Sequence, residues 1–107
     1  MEIVGKLIKV GDGYYITIPV EVHNDWKARL LENVDVVTVD YDEQNDELII
    51  YPYQLKFPGD VRKLIQRGTT HILTVPKRVG EMWSSRGVVY LRKLYFEKDL
   101  KFVVKPM

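Results

Sequence analysis

The sequence predicts a mainly β domain with two short helices, formed by two tandem β-β-α-β-β repeats. The first observation is an internal repeat: the pattern that begins at Lys6 recurs at Lys63, and the Thr-x-Pro pattern that ends at Trp26 recurs at Trp83, both at an offset of 57. After a three-residue deletion the offset becomes 54, and it then aligns Val34 with Val88, Tyr41 with Tyr95, Glu43 with Glu97 and Pro52 with Pro106. The second observation is that each copy holds short β-rich runs around one segment with helical periodicity. A unit of roughly 50 residues is too small to bury a convincing core alone, so both copies are expected to fold together.

The first half of each repeat is predicted to be a pair of strands. In repeat 1 the segment 5–10 is a short β-rich run, and Gly11-Asp12-Gly13 provides the turn that lets the segment 14–18 fold back. In repeat 2 the equivalent strands are expected at 61–66 and 71–75, on either side of the turn 67–70.

A proline marks the start of the predicted helix in both repeats. The fixed φ of proline suits the first helical position, where its missing N–H would be unpaired anyway. The apolar faces that follow are Val22, Trp26 and Leu30 after Pro19, and Val79, Met82 and Trp83 after Pro76. The segment 84–87 contains a glycine and is expected to end the second helix. Because the two tryptophans occupy equivalent helical positions, both are expected in the core, near the axis that relates the repeats.

A hairpin is predicted to close each repeat. Its strands are expected at 34–41 and 48–51 around the polar turn 42–46, and at 88–96 and 100–105 in the second copy. The predicted organisation is therefore one domain over 1–107, with repeat 1 at 1–53, a linker at 53–60 and repeat 2 at 61–107.

The composition argues against several functional classes. The chain has no cysteine, which excludes a disulfide framework and a thiolate metal site. It has no apolar run of the roughly 20 residues that a membrane-spanning helix needs, and its N-terminus lacks a basic-then-apolar signal pattern. We also find no Gly-rich phosphate loop, nucleophile elbow or Ser/His/Asp set. We therefore expect a cytoplasmic protein that is not an enzyme, with no cofactor and no membrane partner.

The net charge of +1 hides a strong asymmetry between the halves. Residues 1–53 contain four Lys/Arg and eleven Asp/Glu (4 − 11 = −7), whereas residues 54–107 contain twelve Lys/Arg and four Asp/Glu (12 − 4 = +8). One interpretation is that the basic half faces a polyanion while the acidic half faces away or meets a basic partner. The other is that the two halves complement each other electrostatically within one fold.

The order of these elements resembles the AbrB/MazE-like (SpoVT-AbrB) family. The residues that carry the resemblance are the segments 16–22 (Ile-Thr-Ile-Pro-Val-Glu-Val) and 73–79 (Leu-Thr-Val-Pro-Lys-Arg-Val). The resemblance implies a swapped-hairpin β-barrel made of two interleaved units, here an intramolecular pseudo-dimer. It also implies binding to double-stranded DNA through basic side chains on one face. Some members neutralise a toxin with a long C-terminal tail, and no such toxin-binding tail is expected after Pro106-Met107.

The family's basic positions are only partly kept in this chain. Tyr15 and Ile72 stand four residues before the two prolines, at a position where members often have Arg or Lys. Directly after the proline Lys77 matches the family pattern and Val20 does not. Cations on the first strand are better kept. If DNA binds, the second repeat is therefore expected to supply most of the contact.

The predicted DNA-binding set follows from these positions. Its members are Arg62, Lys63, Arg67, Lys77 and Arg78 in the second repeat, with Lys6 and Lys9 in the first. Flexible or forked cations and the free N–H groups of a helix start are what phosphate binding uses. The alternative is an ordinary solvated surface.

Other polar and aromatic groups leave two interpretations open. Tyr14, Tyr15 and His71 are placed either to stack on sugar or base, or to pack inside the barrel. The acidic turn of Asp40, Asp42, Glu43, Asp46 and Glu47 suits either a cation or, more simply, a solvated turn or an acidic surface that meets a partner. Because the two histidines are isolated in sequence, a zinc site is not expected.

The function predicted from the sequence is that of a small DNA-binding transcriptional regulator, which gains affinity mainly from phosphate contacts of the second repeat. The alternative is a protein-interaction or self-assembly module, in which the acidic repeat meets a basic partner or docks on the basic repeat of another chain to form a homo-oligomer.

Overall fold

Strands and two helices follow one another along the computed structural model, which describes residues 1–52 and 59–107. The elements of the first half are β1 (Glu2–Lys6), β2 (Ile8–Val10), β3 (Gly13–Ile18), α1 (Val20–Leu30), β4 (Val36–Asp42) and β5 (Glu47–Tyr51). Those of the second half are β6 (Asp60–Lys63), β7 (Ile65–Arg67), β8 (Thr70–Thr74), α2 (Lys77–Ser85), β9 (Tyr90–Phe96) and β10 (Lys101–Pro106). The prediction of a mainly β chain with two helices is confirmed. Most of the predicted linker 53–60 lies outside the described residues, and its last residue, Asp60, begins a strand.

The strands form two open sheets rather than the closed barrel that was predicted. The six-stranded sheet has the order β1-β9-β10-β5-β4-β6, and the four-stranded sheet has the order β2-β3-β8-β7. Within the described residues, no ladder joins β1 to β6 or β2 to β7, so both sheets keep two free edges.

A break in the first predicted strand of each half explains the two sheets. The segment 5–10 divides at Leu7, and the segment 61–66 divides at Leu64. Each leucine N–H bonds a carbonyl from the other half, Leu7 to Val89 at 3.0 Å and Leu64 to Asp35 at 2.7 Å. The chain therefore passes from one sheet to the other at these two points, and in the described residues each half has five strands where four were predicted.

The edge strands of the large sheet are exchanged between the halves. Strand β1 pairs with β9 of the second half, and β6 pairs with β4 of the first. The registers occupy equivalent positions: Lys6 lies opposite Tyr90, while Lys63 lies opposite Val36 (63 − 6 = 57 and 90 − 36 = 54). Each half therefore contributes a strand that completes the sheet of the other.

The centre of each sheet is also a contact between halves. In the small sheet Ile16 of β3 lies opposite Leu73 of β8, and both are fully buried. In the large sheet Ile49 of β5 lies opposite Val103 of β10. One apolar core, shared by the two halves, results from these pairings.

Both prolines precede their helices by one residue instead of occupying the first helical position. Pro19 (φ −55°, ψ 140°) and Pro76 (φ −51°, ψ 131°) have extended backbones and stand at the N-cap of α1 and α2. Their carbonyl oxygens still accept the first helical bonds, from His23 to Pro19 at 3.1 Å and from Gly80 to Pro76 at 3.0 Å. The predicted helix starts are thus correct to within one residue.

The two tryptophans are buried as predicted, and each contacts the hairpin of the other half. Trp26 lies edge-on to Tyr95 with ring centroids 6.4 Å apart, and Trp83 lies edge-on to Tyr41 at 6.5 Å. These edge-to-face pairs fix each helix against the opposite half.

Among the described residues, four ion pairs join the acidic half to the basic half. They are Arg29 with Glu97, Arg78 with Glu43, Arg86 with Asp46, and Arg92 with Glu2. All four lie at the surface, where such a pair contributes about 0–1 kcal/mol. In three of them a cation of the basic half meets a carboxylate of the acidic half, so part of the charge asymmetry is used inside the fold, as the second interpretation of the sequence expects.

Neither α1 nor α2, the helices of the described segments, has the length and apolar character needed to cross a bilayer.

Candidate nucleic-acid interface

Three of the predicted cations line one concavity beside the start of α2. Arg62 reaches it from β6, and Lys77 and Arg78 reach it from the first turn of the helix. The concavity has a volume of about 390 Å³, and its floor includes Val39 and Val79. The exchange of β6 into the sheet of the first half is what brings Arg62 to this helix.

Arg62 is the most confined of the three cations. Its side chain is 27% exposed, and its terminal nitrogen lies 3.3 Å from a carboxylate oxygen of Asp60. Its Nε is buried and donates to no acceptor in the described residues. An unpaired buried donor costs about 1–3 kcal/mol, and because this nitrogen is buried, an external oxygen reaches it only if the side chain moves.

Lys77 and Arg78 are freely exposed, with side-chain exposures of 69% and 75%. Lys77 lies 3.9 Å from Glu81 one turn later in the helix, and Arg78 lies 3.4 Å from Glu43. Exposed pairs of this kind are weak and are screened by salt. Both cations can therefore exchange these carboxylates for a phosphate at small cost.

Two carboxylates moderate the charge of the concavity. Asp40 and Asp60 line it together with the three cations, which leaves an excess of one positive charge (3 − 2 = 1). Glu81 and Glu43, which pair with Lys77 and Arg78, lie beside this lining, so an anion binds these two cations only by displacing those carboxylates.

The equivalent position in the first half carries a different chemistry. Val20 and Glu21 begin α1 where Lys77 and Arg78 begin α2, and Gly5 stands where β6 has Arg62. The cation there is Lys93, which is 4% exposed and donates from Nζ to the carbonyl and hydroxyl oxygens of Thr17, both at 2.8 Å. Burial lowers the pKa of Lys93 to about 8. This cation is used inside the protein, so the two halves present unequal surfaces.

Gly5 makes room for Lys93. A Cβ at this position would lie 2.6 Å from Cε and 2.7 Å from Nζ of the lysine. Lys93 was not predicted as an interior group, although the offset of 54 aligns this lysine with Val39, which was a signal of altered packing.

The remaining predicted cations lie apart from this concavity. Lys63 is exposed on β6, while the ammonium of Lys6 lies 5.6 Å from the ring centre of Tyr90 and that of Lys9 lies 5.7 Å from Tyr14. Arg67 lines a separate concavity on the four-stranded sheet. The structure thus gathers three of the seven predicted residues around one site.

The three aromatic residues that were candidates for stacking on nucleic acid have separate positions. Tyr14 is 6% exposed and covers Gly80, where a Cβ would lie 2.5 Å from the ring. His71, at the equivalent position in the second half, stacks on His23 with ring centroids 3.6 Å apart and an interplanar angle of 13°. Tyr15 faces outward on the four-stranded sheet.

The stacked histidines are a polar pair that was not predicted from the sequence. The Nε2 of His23 lies 2.7 Å from the carbonyl oxygen of Val34, so this nitrogen donates. Burial, together with the nearby His23 and Lys27, lowers the pKa of His71. The repeat itself was the available signal, because it aligns the pair His23 and His71 with the pair Gly80 and Tyr14.

The acidic turn holds its carboxylates inside a hydrogen-bond network. Asp46 accepts from the Tyr41 hydroxyl at 2.5 Å, from the Trp83 indole at 2.8 Å and from Arg86 at 2.6 Å. Burial raises the pKa of Asp46, but these three donors outweigh it, and the net pKa is lowered. In residues 1–52 and 59–107 no three His, Asp or Glu side chains converge as a metal site would require.

Comparison of this chain with protein-family models, with curated proteins and with solved structures finds no match.

Proposed function

We propose that this protein is a small DNA-binding transcriptional regulator of the AbrB-like type, which holds the duplex mainly through the second half. The observation that carries the proposal is the convergence of Arg62, Lys77 and Arg78 on one concavity. We also propose that the reciprocal exchange of β1 and β6 is an intramolecular form of the swapped-hairpin arrangement, with open sheets in place of a closed barrel.

A phosphodiester oxygen fits the chemistry of the concavity. The Arg62 side chain is 27% exposed, and its guanidinium offers forked donors that match phosphate oxygens. Lys77 and Arg78 supply further cations at the same rim. Contacts of this kind position the protein on DNA without reading sequence, so most of the affinity is electrostatic.

The experiment compares two variants with equal loss of charge. The site variant combines Arg62→Gln, Lys77→Gln and Arg78→Gln, and the control combines Lys98→Gln, Lys101→Gln and Lys105→Gln in the same half. Affinity for one duplex is measured by fluorescence anisotropy over a range of salt concentrations. Each lost phosphate contact flattens the slope of log affinity against log salt by about 0.9, so the site variant should lose about 2.7 units of slope.

The outcome that supports the proposal is a large loss of slope in the site variant and a small loss in the control. Equal slopes for the two variants would show that only net charge matters, and the concavity would then not be the binding site. Absence of wild-type binding at low salt would overturn DNA binding itself. A third variant, Lys6→Gln with Lys9→Gln, tests the expected inequality of the halves and should lose less affinity than the site variant.

The alternative function, a protein-interaction or self-assembly module, is favoured by a different observation. The concavity on the four-stranded sheet is lined mainly by apolar side chains, which cannot bind phosphate.

A further inference from the structure

The outer face of the four-stranded sheet is apolar. It is lined by Ile8, Val10, Tyr15, Ile65 and Ile72, with Arg67 at one end, and it encloses a concavity of about 250 Å³. The register confirms that these residues share one face, because Ile8 lies opposite Tyr15 and Ile65 lies opposite Ile72. We call this surface the outer sheet face.

The helices cover only the other side of this sheet. Tyr14 and His71 point inward, where they contact Gly80 of α2 and His23 of α1. On the outer sheet face, by contrast, Ile8 is 39%, Ile65 41% and Val10 62% exposed. Exposed aliphatic groups that lie together mark an interaction surface more than isolated ones do.

The face is nearly symmetric in its apolar groups but not in its charges. The offset of 57 relates Ile8 to Ile65 and Tyr15 to Ile72. Because β3 and β8 are antiparallel, the β2–β3 turn and the β7–β8 turn lie at opposite ends of the sheet. The first turn carries Asp12, and Arg67 stands at the second. No ion pair between described residues includes either of them.

We infer that the outer sheet face docks on the same face of a second copy of this chain, with Asp12 of each copy beside Arg67 of the other. Two copies packed face to face on a two-fold axis have two orientations that bury the pairs Ile8/Ile65 and Tyr15/Ile72 alike, while Val10 and Arg67, which the offset of 57 also relates, exchange places. In one orientation Asp12 lies beside Asp12 at one end and Arg67 beside Arg67 at the other. In the other orientation Asp12 of each copy lies beside Arg67 of the other, which makes two ion pairs. The free opposite charges at the two ends therefore select the second orientation.

The face suits a second copy better than it suits nucleic acid. One arginine among five apolar or aromatic side chains offers too few cations for a phosphate backbone. The apolar pattern and the charges at its ends are complementary to the face itself, so a second copy both covers the apolar groups and pairs the two end charges. The inference does not depend on DNA binding, which concerns a concavity that shares no residue with this face.

Charge exchange tests the orientation. The full chain is studied by sedimentation velocity without DNA, at protein concentrations from about 1 μM to 1 mM, a span that detects both strong and weak dimers. The wild type should dimerise within this range. Asp12→Arg and Arg67→Asp should each weaken the dimer at least tenfold, and the variant that carries both should recover most of the affinity.

A pair of lysine variants tests the apolar contact. Ile8→Lys with Ile65→Lys should give a monomer. The matched control is Val4→Lys with Val61→Lys, because these valines are also related by 57, are 56% and 57% exposed, and lie on the other sheet. The control should dimerise like the wild type, and thermal melts confirm that both variants fold.

Three outcomes would overturn the inference. They are a wild type that stays monomeric up to about 1 mM, a dimer that survives lysine at Ile8 and Ile65, and a double charge exchange that restores nothing. A wild type that stays monomeric would mean that a different protein binds this face. The salt dependence of DNA binding is measured separately, so failure of one proposal leaves the other intact.

Discussion

Trp83 donates its indole N–H to Oδ1 of Asp46 at 2.8 Å and so joins the helix of the second half to a hairpin turn of the first. The equivalent Trp26 makes the corresponding bond to the carbonyl oxygen of Leu100 at 3.0 Å. Asp46 and Leu100 are aligned by the offset of 54, and both have a left-handed backbone, with φ of 54° and 57°. One half thus uses a carboxylate where the other uses a main-chain carbonyl.

Asp46→Ala should destabilise the protein by about 1–3 kcal/mol, because the buried indole N–H of Trp83 loses its acceptor. Urea unfolding followed by tryptophan fluorescence measures the loss. Asp46→Asn keeps an acceptor oxygen and tolerates the left-handed backbone, so it should recover much of the stability. An alanine variant as stable as the wild type would show that this bond contributes nothing.

The carboxylate of Asp46 should also make stability depend on acid pH. Its pKa is lowered in the folded protein, so the stabilisation is complete above the ordinary aspartate pKa of about 4 and is lost as pH falls below it. The difference in unfolding free energy between wild type and Asp46→Asn should therefore shrink between pH 5 and pH 2. A constant difference would contradict the assigned network.

Lys93 should make the protein more stable as pH rises through the alkaline range. Because its pKa is lowered to about 8, the unfolded chain binds more protons than the folded protein between pH 8 and the ordinary lysine pKa. Relative to Lys93→Met, the wild type should gain about 1 kcal/mol between pH 7 and pH 9. Parallel curves for the two proteins would mean that Lys93 is not held inside the fold.

His71 should weaken the fold in mild acid. The pKa of His71 is lowered by burial and by the neighbouring His23 and Lys27, so the unfolded chain takes up the proton first and stability falls as pH drops below the ordinary histidine pKa. A variant with His23→Gly and His71→Tyr copies the arrangement of Gly80 and Tyr14 in the other half. Its melting temperature should vary less between pH 7 and pH 5. Equal pH dependence would place the sensitive group elsewhere.

Neither half should fold alone. Residues 1–53 lack β9, the partner of β1, and residues 60–107 lack β4, the partner of β6. Each half also exposes Trp26 or Trp83, which the other half's hairpin covers. Expressed separately, the halves should be unfolded or self-associated in circular dichroism and sedimentation experiments. A monomeric half with a cooperative melt would refute the shared core.

Pro76→Ala should cost only about 0.4–1 kcal/mol, because the main effect is a larger unfolded ensemble. Pro76 has an extended backbone at the N-cap and accepts a bond only through its carbonyl, which alanine keeps. A loss of several kcal/mol in thermal or urea unfolding would show a packing role for the ring.

The sequence by itself determined the features that repeat with a local period. Apolar residues at a spacing of four predicted the buried faces of both helices, and the prolines predicted their starts to within one residue. The offset of 57 aligns Lys6 with Lys63, which lie at the same position in the exchanged strands. The offset of 54 aligns the residues opposite them, Tyr90 and Val36. Such patterns can be read from the sequence because the direction of a side chain in a helix or strand follows from its place in the local period.

The tertiary structure alone decided which distant residues meet. The breaks at Leu7 and Leu64 depend on bonds to the opposite half, and they open the expected barrel into two sheets. The same exchange brings Arg62 to Lys77 and Arg78, while it leaves Arg67 on an apolar face. The charge and type of each residue are visible in the sequence. Which of these residues converge depends on the pairing of strands that are far apart in the chain. Local periodicity does not encode that pairing, because the pairing arises only when both halves fold around one core.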